Sequence, residues 1–252
     1  MSKSVLVTGG GKRIGRAIAM ALGQDGWNVA LHCHSSRMDA ESAARAIISA
    51  GGRAAVVEAD LRNECQTETL VERAAELVGP LEALVNNAAV FERDTVDTVT
   101  RESWNLHLEV NLRAPFVLMQ SFARRLPVGA EGSIVNLIDQ RVWNLGPTFT
   151  SYTVSKMGLW ALTQSLAVAL APRVRVNAVG PGPTLPSSRQ TPEQFAAQCD
   201  RVPLRRGAAP EDIADAVRYL LGARSVTGQM IAVDGGEHLG FAKRDGGDPP
   251  PE

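Results

Sequence analysis

Short apolar runs alternate with longer segments of helical periodicity along most of the chain. Strands are predicted where β-branched and aliphatic residues cluster over a few positions, and helices where apolar residues recur at helical spacing. The predicted strands are residues 4–8, 28–31, 53–58, 84–85, 132–138, 174–178 and 229–233. The predicted helices are residues 13–23, 38–50, 64–78, 101–126, 151–170 and 211–221, with Pro115 expected to kink or interrupt the long one.

This alternation of strands and helices indicates an α/β fold. Strands of this kind pair in parallel through right-handed crossovers, so we predict a doubly wound sheet of about seven strands. A chain of 252 residues without an internal repeat suits a single domain, which we place at residues 1–240. Residues 241–252 are polar and rich in glycine and proline, and we expect them to form a disordered tail.

One long segment, residues 179–210, departs from this alternation. It has few apolar runs and contains six prolines. Because it follows the sixth predicted strand, it would lie at the carboxyl edge of the sheet. A loop of such length in a compact domain is commonly functional, so we interpret residues 183–203 as a lid over a binding site.

Composition and charge argue against several classes of function. The formal net charge is −1, which gives no field that would attract nucleic acid or an anionic membrane surface. The three cysteines, Cys33, Cys65 and Cys199, have neither metal-ligand nor disulfide spacing, so we expect free thiols and no metal. No segment approaches the length of an apolar membrane span or a signal peptide. These features favour a cytoplasmic protein.

A glycine-rich turn, residues 8–15, joins the first predicted strand to the first predicted helix. In this context the backbone N–H groups and the helix dipole can face a pyrophosphate, although a plain strand-to-helix turn is the alternative. The candidate cofactor-binding residues of this turn are Gly9, Gly11, Lys12, Arg13, Ile14 and Gly15.

The end of the second strand predicts which dinucleotide binds. An acidic residue there would bind the ribose hydroxyls of NAD, but no carboxylate occurs before Asp39. We therefore predict NADPH. His32 is interpreted as a packing residue of the strand, and Asp60 as an acceptor for the adenine amino group. The candidate ligands of the 2′-phosphate are His34, Ser35, Ser36 and Arg37, beside Lys12 and Arg13.

Tyr152 and Lys156 are four residues apart on a predicted helix, so both lie on one face. An ammonium beside a phenol favours the ionised phenol and lowers its pKa. The pair alone is weak evidence, because a solvated helix face often carries the same spacing. Asp139 lies thirteen residues before the tyrosine.

Taken together, these motifs resemble those of the short-chain dehydrogenase/reductase family over nearly the whole chain to about residue 240. The matching positions are residues 8–15 (TGGGKRIG), 60–61, 86–89 (NNAA), 180–182, 227–228 and 233–236, with Asn111, Tyr152 and Lys156. The resemblance implies a Rossmann-like NADP-binding domain, hydride transfer from a nicotinamide, and a homotetramer. It also implies cofactor contacts from Leu61, Asn87, Ala88, Pro181 and Gly182, together with Tyr152 and Lys156.

Two departures from the usual family pattern, and one aromatic residue, resemble the pteridine reductase and dihydromonapterin reductase branch. Asp139 stands where most members have a serine, and Arg13 where the phosphate loop usually has a glycine. Phe91 matches the aromatic residue that, in this branch, packs a flat pterin against the nicotinamide. Ala89, however, replaces a serine that some members of the branch carry, so hydrogen bonds from that hydroxyl are not expected.

We therefore predict an NADPH-dependent reductase of pterins, of the dihydropterin or dihydromonapterin type. Hydride goes to the carbon of a C=N bond, and Tyr152, aided by Asp139, supplies a proton to the nitrogen. Lys156 orients the ribose and lowers the tyrosine pKa, and Asn111 supports a water relay. Arg13, Phe91, Asp139 and Tyr152 contact the substrate. The sequence leaves open whether dihydrofolate is also reduced.

Other interpretations of the same residues remain. The protein can be a carbonyl reductase of the same fold that acts on a sugar, a steroid or a 3-oxoacyl-carrier substrate, or a non-catalytic NADPH sensor. Asp139 can be a loop carboxylate that caps a turn, and Phe91 can be an ordinary packing residue. Trp143 is a weaker candidate for the lining of the substrate pocket.

Overall fold

Seven runs of aliphatic residues form the parallel sheet at the centre of the computed structural model, which describes residues 3–240. The strands pair in the order β3-β2-β1-β4-β5-β6-β7. This arrangement confirms the single α/β domain with a Rossmann-like sheet. The strands are β1 (Ser4–Val7), β2 (Asn28–Cys33), β3 (Arg53–Glu58), β4 (Leu81–Asn86), β5 (Gly132–Leu137), β6 (Val174–Pro181) and β7 (Met230–Val233).

Helices cover both faces of the sheet because buried parallel strands are apolar on both sides. In β1 the side chains of Val5 and Val7 pack in one core layer, and that of Leu6 packs in the other. The helices are α1 (Arg13–Gln24), α2 (Arg37–Ser49), α3 (Glu64–Val78), α4 (Arg101–Leu108), α5 (Ala114–Arg125), α6 (Thr150–Ala169), α7 (Pro192–Asp200) and α8 (Pro210–Gly222). Helices α1, α2 and α8 contribute to one layer, and α3, α5 and α6 to the other.

The strand order reverses at β1, which lies between β2 and β4. Connections leaving the two sides of this point diverge and leave a crevice at the carboxyl ends of the strands. The glycine-rich turn, the segment after β4 and the segment after β5 all begin at this edge. The topology therefore brings the predicted cofactor residues and the predicted catalytic residues to one side of the sheet.

The long predicted helix over residues 101–126 is interrupted, as expected from Pro115. A π-helical turn, Glu109–Arg113, separates α4 from α5, and Pro115 lies in the first turn of α5. Proline lacks the N–H of a helical hydrogen bond, and its ring crowds the carbonyl four residues earlier, which here belongs to Asn111. The wider turn accommodates that ring and includes Asn111.

The segment after β6 contains a helix that the sequence interpretation missed. The prediction of an irregular loop over residues 179–210 was wrong for the part that forms α7. This helix begins with a reciprocal cap, in which Gln194 N–H donates to Thr191 Oγ1 (3.2 Å) and Thr191 N–H donates to Gln194 Oε1 (3.0 Å). Thr191, Pro192 and Gln194 together form a recognisable helix-start signal. Strand β6 also continues to Pro181, beyond its predicted end.

Two further expectations concern the periphery of the chain. The predicted disordered tail, residues 241–252, lies outside the described residues. Within residues 3–240, no helix combines the length and apolar character needed to cross a lipid bilayer.

Candidate active site

Two adjoining cavities open along the carboxyl edge of the sheet. The nucleotide cavity, of 560 Å³, lies at the ends of β1, β2 and β3. The substrate cavity, of 470 Å³, lies at the ends of β5 and β6. Both are lined by Arg13, Ile14, Asn87 and Phe91, so they form one continuous cleft.

Most residues predicted to bind the cofactor line the nucleotide cavity. Gly11 is an exception, because a Cβ on it would lie 2.8 Å from the backbone nitrogen of Ala40, so this glycine permits close packing of α2. Sequence reasoning missed Arg62, Val90, Leu106 and Val110, which also line the cavity. The predicted residues found there are Gly9, Lys12, Arg13, Ile14, Gly15, His34, Ser35, Ser36, Asp60, Leu61, Asn87 and Ala88.

The glycine-rich turn is held by close backbone contacts. A Cβ on Gly15 would lie 2.1 Å from the carbonyl oxygen of Gly9, so only glycine fits there. His32 is buried, accepts the Gly9 N–H at Nδ1 (3.2 Å) and donates from Nε2 to the carbonyl of Ala59 (3.0 Å). Burial lowers the pKa of His32 to about 4. His32 is therefore a neutral, buried residue, consistent with the predicted packing role, and it also holds the turn.

At the end of β3, Asp60 is engaged by a basic side chain. Arg62 Nε donates to Asp60 Oδ1 at 3.0 Å and Arg62 Nη2 to Oδ2 at 2.7 Å, while His34 Nε2 lies 3.7 Å from Oδ2. The hydrogen bonds from Arg62 lower the pKa of Asp60 to about 2. An adenine amino group would compete with Arg62 for these oxygens.

The basic residues near β2 differ from expectation in one respect. Arg37 forms ion pairs with Glu41 (2.8 Å) and Glu58 (3.3 Å) and is not among the cavity residues, so its contact with a 2′-phosphate stays a prediction. Lys12 lines the cavity and pairs with Asp39 at 2.9 Å. The donor set of the cavity still fits a phosphorylated ribose, because it presents the hydroxyls of Ser35 and Ser36, the His34 imidazole, and the cationic side chains of Lys12 and Arg62.

In the substrate cavity, Tyr152 and Asp139 are in direct contact. The phenol donates to Asp139 Oδ2 at 3.0 Å, and Asp139 Oδ1 accepts the N–H of Arg141 at 2.8 Å. Asp139 therefore both caps the short 3₁₀ turn Gln140–Val142 and contacts the tyrosine. Burial and the adjacent carboxylate raise the pKa of Tyr152, so the phenol is protonated at neutral pH.

The side chain of Lys156 lies close to this pair and is buried, with 3% of the residue exposed. Its Nζ donates to the carbonyl of Leu137 at 2.7 Å and lies 5.8 Å from the centre of the Tyr152 ring. Burial lowers the pKa of Lys156 to about 8, and Asp139 acts in the opposite direction. The pKa of Tyr152 is raised overall and not lowered, because desolvation and Asp139 outweigh any contribution from Lys156.

Asn111 holds the segment that follows β4. Its Oδ1 accepts the Val90 N–H at 2.8 Å, and its Nδ2 donates to the Val90 carbonyl (2.9 Å) and to Ser155 Oγ (3.1 Å). The side-chain amide is completely buried and fully hydrogen-bonded. Asn111 therefore fixes the position of the NNAA segment relative to α6, while its part in a water relay stays a prediction.

Phe91 lies at the junction of the two cavities, among aromatic side chains. Its ring stacks on Phe149 with centroids 4.4 Å apart and planes 5° apart, and meets Tyr152 edge-on at 4.7 Å. Phe149 precedes α6 with a left-handed backbone (φ 63°), a strained conformation for a non-glycine residue. No sequence signal distinguished Phe149, because its role depends on contact with Phe91.

A buried hydrogen-bonded network joins the segment after β4 to the start of α6. The Glu92 N–H donates to His107 Nε2 (3.1 Å), and His107 Nδ1 donates to Ser151 Oγ (2.7 Å), which in turn donates to Asp94. The Phe149 N–H donates to the carbonyl of Asp94 at 2.7 Å. Burial lowers the pKa of His107, consistent with a neutral ring. The network fixes the aromatic side chains relative to Tyr152.

The predicted lid closes over the substrate cavity through two arginines. Arg13 donates to the carbonyls of Pro186 (3.0 Å) and Leu185 (3.2 Å). Arg189 donates to the carbonyl of Phe91 (2.8 Å) and pairs with Glu92 at the same distance. The lid is therefore tied both to the glycine-rich turn and to the aromatic segment.

The remaining predicted residues lie at the ends of β5 and β6. Pro181 and Gly182 line the substrate cavity, as do Gln140, Arg141, Phe195 and Glu237, which the sequence interpretation did not select. Trp143 is not among the lining residues. Its ring instead contacts Trp160 (6.2 Å) and His238 (5.3 Å).

Comparison with known proteins agrees with this geometry. A family model described as enoyl-(acyl carrier protein) reductase matches residues 10–238. The 3β-hydroxysteroid dehydrogenase 1 of Eggerthella lenta is 36% identical over 250 residues, which cover 94% of each chain. With its buried tyrosine–lysine pair and glycine-rich turn on a seven-stranded sheet, the chain belongs to the short-chain dehydrogenase/reductase family and is an oxidoreductase.

Two solved structures are more similar still. FolM alternative dihydrofolate reductase 1 from Brucella suis, in complex with NADP, is 47% identical, with a TM-score of 0.92 over 96% of this chain and 98% of that one. The protein of the same name from Brucella canis, also complexed with NADP, is 45% identical, with a TM-score of 0.90 over 98% of both chains.

Proposed function

We propose that the protein is an NADPH-dependent reductase that reduces a C=N bond of dihydropterins. The contact between the Tyr152 hydroxyl and Asp139 Oδ2 at 3.0 Å carries this proposal. A carboxylate beside the phenol opposes the negative charge that a carbonyl oxygen develops during reduction. A ring nitrogen is more basic than a carbonyl oxygen, so it can take the proton as hydride arrives without first developing a negative charge beside Asp139.

The proposed chemistry divides between cofactor and protein. Bound NADPH supplies hydride to the carbon of the C=N bond. Tyr152 holds the proton for the nitrogen, because burial and Asp139 keep the phenol neutral. Loss of this proton leaves two adjacent anionic groups, and Lys156, 5.8 Å from the phenol ring, counters that charge. A proton from solvent restores the pair.

We further propose positions for the two ligands. The cofactor lies along the nucleotide cavity, with Tyr152 and Lys156 at its ribose and Arg13 between its phosphates and the substrate. The pterin lies against Phe91, where a flat ring can replace part of the stacking on Phe149. The two structurally similar FolM proteins, which bind NADP and are named dihydrofolate reductases, support this assignment and make dihydrofolate a second substrate to test.

A carbonyl reductase of the same fold is the second candidate. The steroid dehydrogenase that is 36% identical to this chain favours it, and a neutral phenol can donate to a carbonyl oxygen as well as to a nitrogen. The position of Asp139 argues against it, since the carboxylate lies within hydrogen-bonding distance of the phenol.

The discriminating experiment measures NADPH oxidation with two panels of substrates. One panel contains dihydropterins and dihydrofolate, and the other contains ketosteroids, keto sugars and 3-oxoacyl thioesters. We expect turnover of at least one dihydropterin and weak or no turnover of the ketones. Turnover confined to ketones would replace the proposed function with the second candidate.

We also propose that the enzyme is a cytoplasmic homotetramer. The helix that carries Tyr152 exposes apolar side chains, with Val154 and Met157 each 40% exposed, which favours burial against another subunit. Light scattering coupled to size-exclusion chromatography tests this assembly. A mass of one chain at micromolar concentration would contradict it.

A further inference from the structure

One side chain of the lid, Arg189, contacts the segment after β4 in three ways. Its Nη2 donates to the carbonyl of Phe91 at 2.8 Å, and its Nη1 pairs with Glu92 Oε2 at the same distance. The guanidinium carbon also lies 5.5 Å from the centre of the Phe91 ring and 6.0 Å from that of Phe149. Arg189 therefore contacts the backbone, the carboxylate and the aromatic ring of this segment at once.

The turn that carries Arg189 is joined to the rest of the lid. The N–H of Gln190 donates to the carbonyl of Ser187 at 3.1 Å, and the side chain of Gln190 donates from Nε2 to Gln198 Oε1 on α7 at 2.8 Å. Outward movement of α7 would therefore carry this turn with it and withdraw the guanidinium from Phe91.

The segment on the other side of this contact lies beside the proposed proton donor. The ring of Phe91 meets that of Tyr152 edge-on at 4.7 Å. The amides of Val90 and Glu92, on either side, donate to buried side chains of the core. The carbonyl of Phe91 is held instead by Arg189. The position of Phe91 thus depends both on the core and on the lid.

The ion pair is too exposed to affect global stability strongly. The side chain of Arg189 is 37% exposed and that of Glu92 is 62% exposed, and pairs of this kind contribute little to the free energy of unfolding. The same contact has a larger consequence for the lid, because local opening costs far less than unfolding. A small change in free energy therefore shifts the closed fraction of the lid several-fold.

We propose that Arg189 is a positioning residue that couples closure of the lid to the position of Phe91. When the lid closes, the guanidinium fixes the carbonyl of Phe91, so the ring is held beside Tyr152 while the lid shields the substrate cavity from water. This coupling is the same for a dihydropterin and for a ketone, so it goes beyond the proposed function.

Hydrogen exchange followed by mass spectrometry tests the coupling without a substrate. In Arg189→Met with NADP bound, amide exchange should rise by about fivefold or more in residues 184–190 and also in residues 88–93, because each segment loses its partner. The melting temperature should change by about 2 °C or less. Faster exchange in the lid alone, with residues 88–93 unchanged, would overturn the inference.

Steady-state kinetics with dihydrobiopterin as the probe give a second readout. Arg189→Met should lower kcat/KM about tenfold, the range for one hydrogen bond from a charged group, while the dissociation constant of NADPH stays within about threefold. Arg189→Lys, which keeps the charge but has one nitrogen for two acceptors, should recover part of the loss. Glu92→Gln should add little to the loss in Arg189→Met, because both changes break the same contact.

Arg125→Met is the matched control. Arg125 on α5 pairs with Glu72 on α3 at 2.7 Å, the two side chains are similarly exposed, and neither residue lines the nucleotide cavity or the substrate cavity. This variant loses the same kind of ion pair, so hydrogen exchange in both segments and kcat/KM should stay as in the native enzyme.

The outcomes distinguish this inference from the proposed function. If none of the dihydropterins is reduced, the proposed function fails, and hydrogen exchange still decides the coupling. If the probe is reduced and Arg189→Met keeps native kcat/KM and native exchange in residues 88–93, the coupling is wrong and the proposed function stands. Equal losses in Arg189→Met and Arg125→Met would indicate a general loss of stability and would also overturn the coupling.

Discussion

Charged side chains have different kinds of partner in the nucleotide cavity and in the substrate cavity. In the nucleotide cavity the carboxylates are paired with cations, as in the contact of Asp60 with Arg62 at 2.7 Å. In the substrate cavity Asp139 contacts a phenol, Lys156 donates to a carbonyl, and Glu237 lies near a second carboxylate. The pKa of Lys156 falls to about 8 and that of Glu237 rises to about 6.

This difference corresponds to different roles, cofactor binding in the nucleotide cavity and proton transfer in the substrate cavity. Paired charges provide a preformed surface on which a phosphorylated dinucleotide can lie. Shifted pKa values keep groups near neutral pH in the state that a proton transfer needs, and such shifts cluster at functional sites. Variants in the first cavity should therefore change cofactor affinity, whereas variants in the second should change turnover.

The largest expected effect is that of Tyr152→Phe, which removes the proton donor and leaves the ring in place. We expect kcat to fall by about 10³-fold, within the range for loss of a general acid. The affinity for NADPH, measured by fluorescence titration, should change by about threefold or less, since one hydrogen bond contributes roughly that much. Retention of full activity in this variant would refute the assigned role of Tyr152.

Most of the nucleotide cavity could be predicted from the sequence because its determinants are local. The glycine-rich turn directly follows β1, and Ser35 and Ser36 come shortly after the end of β2 at Cys33. A strand of a parallel sheet fixes where its carboxyl end lies. The ion pair of Arg37 with Glu58 could not be predicted, because Glu58 lies on β3 and only the three-dimensional strand pairing brings it close.

The substrate cavity could be predicted only in part. Asp139, Tyr152 and Lys156 were found through their spacing in one segment. Phe149 and Glu237 reach the site through contacts between distant segments, so neither periodicity nor spacing identifies them. The helix α7 is a different case, since its reciprocal cap at Thr191 and Gln194 was present in the sequence and was overlooked among the prolines.

A smaller effect is expected from Ser35→Asp, which places a carboxylate at the end of β2. Repulsion of the 2′-phosphate should weaken NADPH binding by about 10- to 100-fold, equivalent to roughly 1.4–2.7 kcal/mol. The affinity for NADH should change little or improve. Ratios of dissociation constants measure this change, with Ser187→Asp in the lid as a matched control. An equal loss for both nucleotides would contradict the assignment of Ser35.

The pH dependence of kcat/KM tests Lys156. The ammonium loses its proton above a pKa of about 8, whereas the phenol of Tyr152 keeps its proton to far higher pH. We expect kcat/KM to fall about tenfold per pH unit on the alkaline side of this pKa. In Lys156→Arg, which keeps its charge, the decline should move to higher pH. An unchanged decline in a folded Lys156→Arg variant would assign the pKa to another group.

The smallest expected effect concerns stability. The pKa of Glu237 rises from 4.5 to about 6 on folding, so its ionisation disfavours the folded state above pH 6 and has no effect below pH 4.5. Glu237→Gln should therefore raise the free energy of unfolding by about 1 kcal/mol near pH 8, after allowance for partial exposure, and by little near pH 4. Urea denaturation at the two pH values measures this. A destabilised variant near pH 8 would contradict the account.

In the proposed reaction, Asp139 adapts a carbonyl reductase site to the protonation of nitrogen. Asp139→Ser restores the residue that most members of the family carry, and the ratio of kcat/KM for a dihydropterin to kcat/KM for a ketone measures the outcome directly. We predict that this ratio falls by about 100-fold or more, within the range for loss of one acid–base group, while the NADPH dissociation constant stays within about threefold. A ratio that stays constant, or a parallel loss of NADPH binding, would show that Asp139 serves the structure rather than the choice of reaction.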